Sequence, residues 1–264
     1  RVPELVGQTD LLLEGLAIRF RAGHAAGARF LKAALTGFEE AAAGRDTASA
    51  PWLWLAWFVA GDLWDAPRWF SLAEGATKQA REAGALNILP VSLESSAAAH
   101  IHAGEFSAAA ALVDESDSIS AATGNAPLRY TSLVLAAWRG DEAQTLALAE
   151  ARLQDADTTG EGRVVGLVQY VKAVLYNGLG KYEEALAAAR LGCQHDDLEL
   201  CGFGLVELIE AGAHTGATDT VDALARLEAD PDMVAAALLF AIRTWAEPLA
   251  PRIAKEHAAV HALM

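Results

Sequence analysis

Apolar and polar residues alternate with a helical period along almost the whole chain, and no run of β-branched residues alternates with the period of two that a strand requires. This pattern predicts an all-α protein whose helices come in pairs. The predicted bounds are 9–22 with 25–42, 52–63 with 67–83, 87–103 with 105–123, 127–139 with 141–157, 161–179 with 181–193, and 199–215 with 219–229.

The same short corner joins the two helices of most pairs. Its glycine stands at five positions, Gly23, Gly104, Gly140, Gly180 and Gly216. A glycine suits this corner because the residue that follows the first helix must take a left-handed conformation. The spacings between these glycines are 81, 36, 40 and 36 residues. The first interval corresponds to two periods of about 40, so a further corner is expected near residues 62–65.

Paired helices that repeat at such a period predict a tetratricopeptide-like (TPR-like) α-solenoid, a superhelix of antiparallel helix hairpins. The predicted array covers residues 1–230 with about six helix pairs. Residues 231–264 are predicted to form C-terminal helices that continue or cap the array.

Composition and charge argue against several classes of function. The formal net charge of −15 over 264 residues predicts no direct contact with nucleic acid, since phosphates are bound by basic surfaces. The longest apolar runs, 52–60 and 233–242, are too short to cross a membrane. Two cysteines and no signal-peptide pattern predict a cytoplasmic location, and the chain, which opens on Arg1, is interpreted as a piece of a longer protein.

No catalytic or phosphate-binding motif is found, so this segment is predicted to be neither an enzyme nor a cofactor-binding protein. One cluster, Cys193 to Asp197 followed by Cys201, has some resemblance to a metal site but lacks the paired spacing of structural zinc ligands. The favoured interpretation is a polar loop in which Asp196 or Asp197 caps the next helix.

The first helices of the pairs are expected to line the concave face of the superhelix, and distance from the corner glycine selects candidate groove residues. They are Glu94, His102, Tyr130, Trp138, Tyr170, Asn177 and His214. Such a row suits a protein partner or a small inducer. The alternative, that these rings only pack between repeats, stays open.

The tryptophan-rich stretch 52–69 is expected to pack in the core or between repeats, with a homodimer contact as the alternative.

Several stretches of these repeats resemble one family: 52–56 with 62–65, 80–86, 121–127, 135–140, 173–186 and 195–198. The family is the large ATP-binding LuxR-type transcriptional regulators of actinobacteria. The resemblance implies a nucleotide-binding ATPase module before a helical-repeat region and a helix-turn-helix after it, so ATP and DNA would be bound outside this segment. The implied function is regulatory: signal reception, protein–protein interaction or self-association. The alternative is a free-standing TPR scaffold that recruits protein partners.

Overall fold

The computed structural model describes residues 7–43 and 51–228, and within them it is helical with no strand. The predicted all-α class is therefore confirmed. Residues 1–6, 44–50 and 229–264, which include the predicted C-terminal helices, lie outside the described residues. The helices are α1 (Gln8–Ala22), α2 (His24–Ala43), α3 (Leu53–Asp62), α4 (Ala66–Glu82), α5 (Leu89–His102), α6 (Phe106–Thr123), α7 (Tyr130–Trp138), α8 (Glu142–Thr159), α9 (Arg163–Gly178), α10 (Tyr182–Gly192), α11 (Leu200–Thr215) and α12 (Thr220–Glu228).

Most of the predicted corners share one backbone geometry. The left-handed residues are Gly104, Gly140, Gly180 and Gly216, with φ between 72° and 79°. At each, the next N–H bonds to the carbonyl five residues back, as from Glu105 to His100 at 2.9 Å, which closes the helix end. The corner predicted near 62–65 is confirmed, but Trp64 (φ 55°) takes the place of glycine there.

The predicted start of α7 at Pro127 is wrong. Arg129 adopts φ 58° and the helix begins at Tyr130. The reason lies in a neighbouring helix, because the Glu94 carboxylate of α5 accepts a hydrogen bond from the Thr131 N–H at 3.1 Å. A side chain from α5 therefore caps α7 and sets where it begins. The other predicted bounds lie within two residues of those observed.

Consecutive corners contact one another along one edge of the molecule. Arg139 at the end of α7 donates to the Phe106 carbonyl at the start of α6, at 3.0 Å. Lys181 pairs with Glu142 at 2.6 Å across the next two corners. The Tyr182 ring stacks on His214 with the centroids 3.8 Å apart. These contacts join successive corners in chain order.

The helices fall into two groups that differ in burial. We call α3, α5, α7, α9 and α11 the inner helices, and α4, α6, α8 and α10 the outer helices. The inner helix α5 buries ten of its 14 residues, whereas the outer helix α6 buries four of its 18. A helix that is buried on most sides is enclosed by neighbours, and one with a single buried stripe faces solvent.

The array of helices returns on itself through what we call the closing cluster: Arg19, Asp62, Asp196 and Glu199. Arg19 of α1 binds both carboxylate oxygens of Asp62 at the end of α3, at 2.9 and 3.1 Å. It also pairs with Asp196 at 2.7 Å, while the Glu199 N–H donates to Asp62 at 2.8 Å. Residues as far as 177 positions apart are thereby held together.

Candidate functional site

The inner helices enclose a cavity of about 440 Å³. Its wall is mainly apolar and rich in aromatic side chains, which are Trp54, Trp57, Phe58, Trp69, Tyr130, Tyr170 and Phe203. Polar side chains are fewer and include Glu94, His102, Tyr130, Glu161, Arg163 and Glu199. Trp54 and Val91 line the cavity and are 50% and 39% exposed, so the cavity reaches the surface beside them.

Each inner helix presents the same face to the cavity. The residue ten positions before the corner lies in the wall on four of them: Trp54, Glu94, Tyr130 and Tyr170. Further wall residues follow at helical spacing on the same face, as Ala98 and His102 do after Glu94. The helical repeat thus delivers one row of side chains per pair to a common space.

Phe203 closes the cavity at the point where α11 meets the earlier helices. Its ring centroid lies 4.7 Å from that of Trp64, 4.8 Å from that of His102 and 5.8 Å from that of Tyr170. Its ring also stacks on Trp69. A single side chain of α11 therefore bridges α4, α5 and α9 and forms one side of the cavity.

His102 and Tyr170 form a neutral hydrogen-bonded pair in the wall. The carbonyl of Ala98 can only accept, so His102 Nδ1, 2.9 Å away, must carry the proton and Nε2 is left as an acceptor. The Tyr170 hydroxyl lies 3.4 Å from Nε2 and donates to it. Burial lowers the pKa of His102 to about 4 and raises that of Tyr170. Neither group carries charge at neutral pH.

Tyr130 forms part of a charged group at another point of the wall. Its hydroxyl donates to the carboxylate of Glu161, which also pairs with Arg152 at 3.5 Å. The Arg152 guanidinium lies 4.4 Å from the centroid of the Tyr130 ring. Burial, together with the hydrogen bond to Glu161, raises the pKa of Tyr130 to about 12. The Tyr130 hydroxyl is thus held protonated as a donor.

Glu199 connects the cavity wall with the closing cluster. Its backbone N–H binds Asp62, and its carboxyl group accepts from Arg163 at 3.0 Å. The side chain packs so closely on Gly61 that a Cβ there would lie 2.3 Å from Oε1. Burial raises the pKa of Glu199 to about 8.

Backbone strain is concentrated around this site. Three non-glycine residues of the described chain have positive φ: Trp64, Arg129 and Glu199. Glu199 lines the cavity, Arg129 lies between two residues that line it, and Trp64 packs on Phe203. Left-handed non-glycine residues cost free energy and persist where surrounding contacts impose them, a situation common at functional sites.

The seven candidate groove residues do not all reach this space. Glu94, His102, Tyr130 and Tyr170 line the cavity, and Trp138 stands edge-on to His102 with centroids 6.1 Å apart. The other two, Asn177 and His214, lie outside the cavity. Asn177 is buried between α9 and α11 and donates to Glu207 at 2.9 Å, while His214 stacks on Tyr182 at the corner edge. Phe203 closes the cavity before either position is reached.

Counting from the corner glycines does not select two positions around the cavity, because their corner lacks glycine. Counting back from Trp64, as from the corner glycines, selects Trp54 at ten residues and Asp62 at two. Trp54 lies in the cavity wall and Asp62 is the centre of the closing cluster. The signal was the period of 40, which indicated a corner near 62–65 but did not fix which residue made the turn.

The loop before α11 has a different role from the one predicted. Neither Asp196 nor Asp197 acts as the side-chain cap of α11, because Asp196 pairs with Arg19 and Asp197 packs against Gly166. The Cys193 and Cys201 thiols are free and lie in one apolar cluster. Across residues 7–43 and 51–228, no group of three or more His, Cys, Asp or Glu side chains has the arrangement of a metal site.

No helix within the described part of the chain is long and apolar enough to cross a membrane. Comparisons with protein-family models, with curated proteins and with solved structures gave no match for this chain. The function is therefore inferred from the residues and their geometry.

Proposed function

We propose that this chain is the signal-receiving, TPR-like segment of a large ATP-binding LuxR-type transcriptional regulator, and that it binds a small, mainly apolar molecule in the cavity of the inner helices. The observation that carries the proposal is the enclosed cavity itself. Its volume of about 440 Å³ lies within the range of small-molecule sites, which are mostly apolar with a few placed polar groups.

The solenoid interpretation is supported by the repeated corners and by their order. Helix pairs follow one another, each first helix presents its face to one space, and successive corners touch along one edge. A solenoid unit contacts mainly its neighbours, so small changes per repeat add up along the chain. In this proposal the superhelix is short enough for its first and last pairs to meet at the closing cluster.

A small molecule fits the cavity better than a peptide does. Peptide grooves of helical-repeat proteins are open along their length, whereas here Phe203 bridges three other helices across the axis. The accessible part of the wall includes Trp54 and Val91 together with the side chains of Glu161 and Arg163. The alternative of a protein partner would require α11 to move away from α4 and α5.

The closing cluster offers a route from the cavity to the rest of the protein. Glu199 is at once a wall residue and a hydrogen-bond donor to Asp62, which binds Arg19 of α1. A molecule that displaces Glu199 changes the contact between the first and the last helices of the array. Differential binding to the closed and open arrangements then shifts the balance between them, and modules joined to either end would be repositioned.

The binding half of the proposal is tested with the purified chain and the neutral fluorescent probe N-phenyl-1-naphthylamine. We expect saturable binding to one site per chain. Ala98→Trp, which places a large ring in the cavity wall, should abolish that binding, and Ala108→Trp on the exposed side of outer helix α6 should leave it unchanged. Absence of binding, or equal loss in both variants, would contradict the proposal.

The regulatory half is tested by the reading frame around this segment. A phosphate-binding loop encoded upstream and a helix-turn-helix encoded downstream are expected. The absence of both would favour the free-standing scaffold, which shares the helical repeat but has no link to DNA.

A further inference from the structure

The chemistry of the cavity wall specifies more than an apolar ligand. Seven aromatic side chains surround the space, and aromatic faces carry negative potential that attracts cations. Among the charged side chains of the wall there are three carboxyl groups, Glu94, Glu161 and Glu199, and one guanidinium, Arg163. Both features favour a positively charged guest over a negatively charged one.

Two of these carboxyl groups, Glu94 and Glu199, are buried at a cost that the described chain does not fully offset, whereas Glu161 is partly exposed and pairs with Arg152. Glu94 is 6% exposed, and its Oε1 accepts no hydrogen bond from the residues that the structure describes. Glu199 is also 6% exposed and lies close to Asp62, another carboxylate. Burial raises the pKa of both glutamates. A cation in the cavity would stabilise their ionised forms.

The single guanidinium of the wall is already engaged, which argues against an anionic ligand. Arg163 binds the Glu199 carboxyl group at 3.0 Å and the Leu198 carbonyl at 2.7 Å. It also lies 4.6 Å from the centroid of the Phe58 ring. An anion would have to displace Glu199 from Arg163 and leave a buried carboxylate without its partner. A cation requires no such exchange.

We propose that the cavity selects an amphipathic organic cation, an amine with a hydrophobic body that packs among the aromatic rings while its ammonium group faces Glu199 and Glu94. This inference rests on the proposed function, since it names the class of molecule that the cavity binds. It does not depend on the identity of the regulator.

Three probes that share one hydrophobic body separate the possibilities: 2-(1-naphthyl)ethylamine, 2-(1-naphthyl)ethanol and 1-naphthylacetate. Isothermal titration of the full chain at neutral pH is expected to show the amine binding about tenfold more tightly than the alcohol, and the acid most weakly. Equal binding of amine and alcohol, or tightest binding of the acid, overturns the inference but leaves a ligand-binding cavity. Failure of all three to bind contradicts the proposed function itself.

Variants assign the preference to the carboxyl groups. Glu199→Gln keeps the backbone N–H that binds Asp62, and is expected to reduce amine affinity about tenfold while affinity for the alcohol stays unchanged. Glu150→Gln on the exposed face of α8 is the matched control and should change neither. If Glu199→Gln does not fold, as judged by circular dichroism, the three-probe comparison on the unaltered chain still decides the inference. An unchanged amine preference in folded Glu199→Gln overturns the assignment to Glu199.

Discussion

Inner and outer helices differ in where they place carboxylic side chains. Four carboxylic side chains are buried in the described chain: Asp62, Glu94, Glu199 and Glu207. Every one belongs to an inner helix or to the residue that begins one, and none to an outer helix. Buried carboxyl groups cost free energy, and two of these four, Glu94 and Glu199, line the cavity.

The largest effect is expected where an ion pair of the closing cluster is compared with one on the outer layer. Arg19→Met leaves Asp62, which is 2% exposed, without its cation and should lower the free energy of unfolding by about 3–5 kcal/mol. Arg81→Met breaks a half-exposed pair with Glu115 between α4 and α6 and should cost less than about 1 kcal/mol. Urea denaturation of both variants checks this. Equal losses would mean that the closing cluster does not hold the array together.

Truncation of an apolar residue should also cost more stability in an inner helix than in an outer helix, although the difference is smaller. Leu175 of α9 is fully buried, and Leu175→Ala is expected to cost about 3 kcal/mol through lost burial and an unfilled space. Leu191 of outer helix α10 is 50% exposed, and Leu191→Ala should cost below about 1 kcal/mol. The measurement is again the free energy of unfolding in urea. A difference of less than about 1 kcal/mol between the variants would contradict the division into layers.

The sequence predicted the positions of the corners well because each corner is a local event. A left-handed residue, a bond to the carbonyl five positions back and a new helix two residues later involve only one short segment, as at Gly140. The face that points inward also follows from local periodicity, which is why counting back from the corner glycines selects Tyr130 and Tyr170, and both line the cavity. The sequence therefore predicts where a residue lies within its own helix pair.

Closure of the array was not predictable in the same way. The contacts of Arg19 with Asp196, and of Asp62 with Glu199, join residues 137 to 177 positions apart. They join helices from opposite ends of the described chain, so no single segment encodes them. Phe203 gave no signal either, because its partners Trp64, Trp69 and His102 come from other pairs. The enclosed cavity is a consequence of this closure.

The smallest expected effect is on the pH dependence of stability. Burial raises the pKa of Glu207, an inner-helix residue, to about 8, so its uncharged form contributes stability at low pH that is lost as the pH rises towards and through 8. Burial lowers the pKa of His102 to about 4, so this group changes the stability only below pH 6.5, the ordinary pKa of histidine. The free energy of unfolding of the unaltered chain should therefore fall between pH 6.5 and 8. Over the same range that of Glu207→Gln should fall by about 1–2 kcal/mol less.

The control for that experiment is Glu150→Gln on α8, whose exposed side chain should leave the pH dependence as it was. Denaturant titrations at closely spaced pH values give the slopes. Parallel curves for Glu207→Gln and the unaltered chain would show that Glu207 is solvated rather than enclosed between α9 and α11.

The most direct test of a ligand-binding inner layer is hydrogen–deuterium exchange of the full chain with and without N-phenyl-1-naphthylamine. We predict that the probe slows exchange in the inner helices that form the wall, above all in α5, α9 and the first turn of α11 near Phe203. Peptides from α6, α8 and α10 should be unaffected. Protection confined to the outer helices, or no protection at saturating probe, would contradict the account.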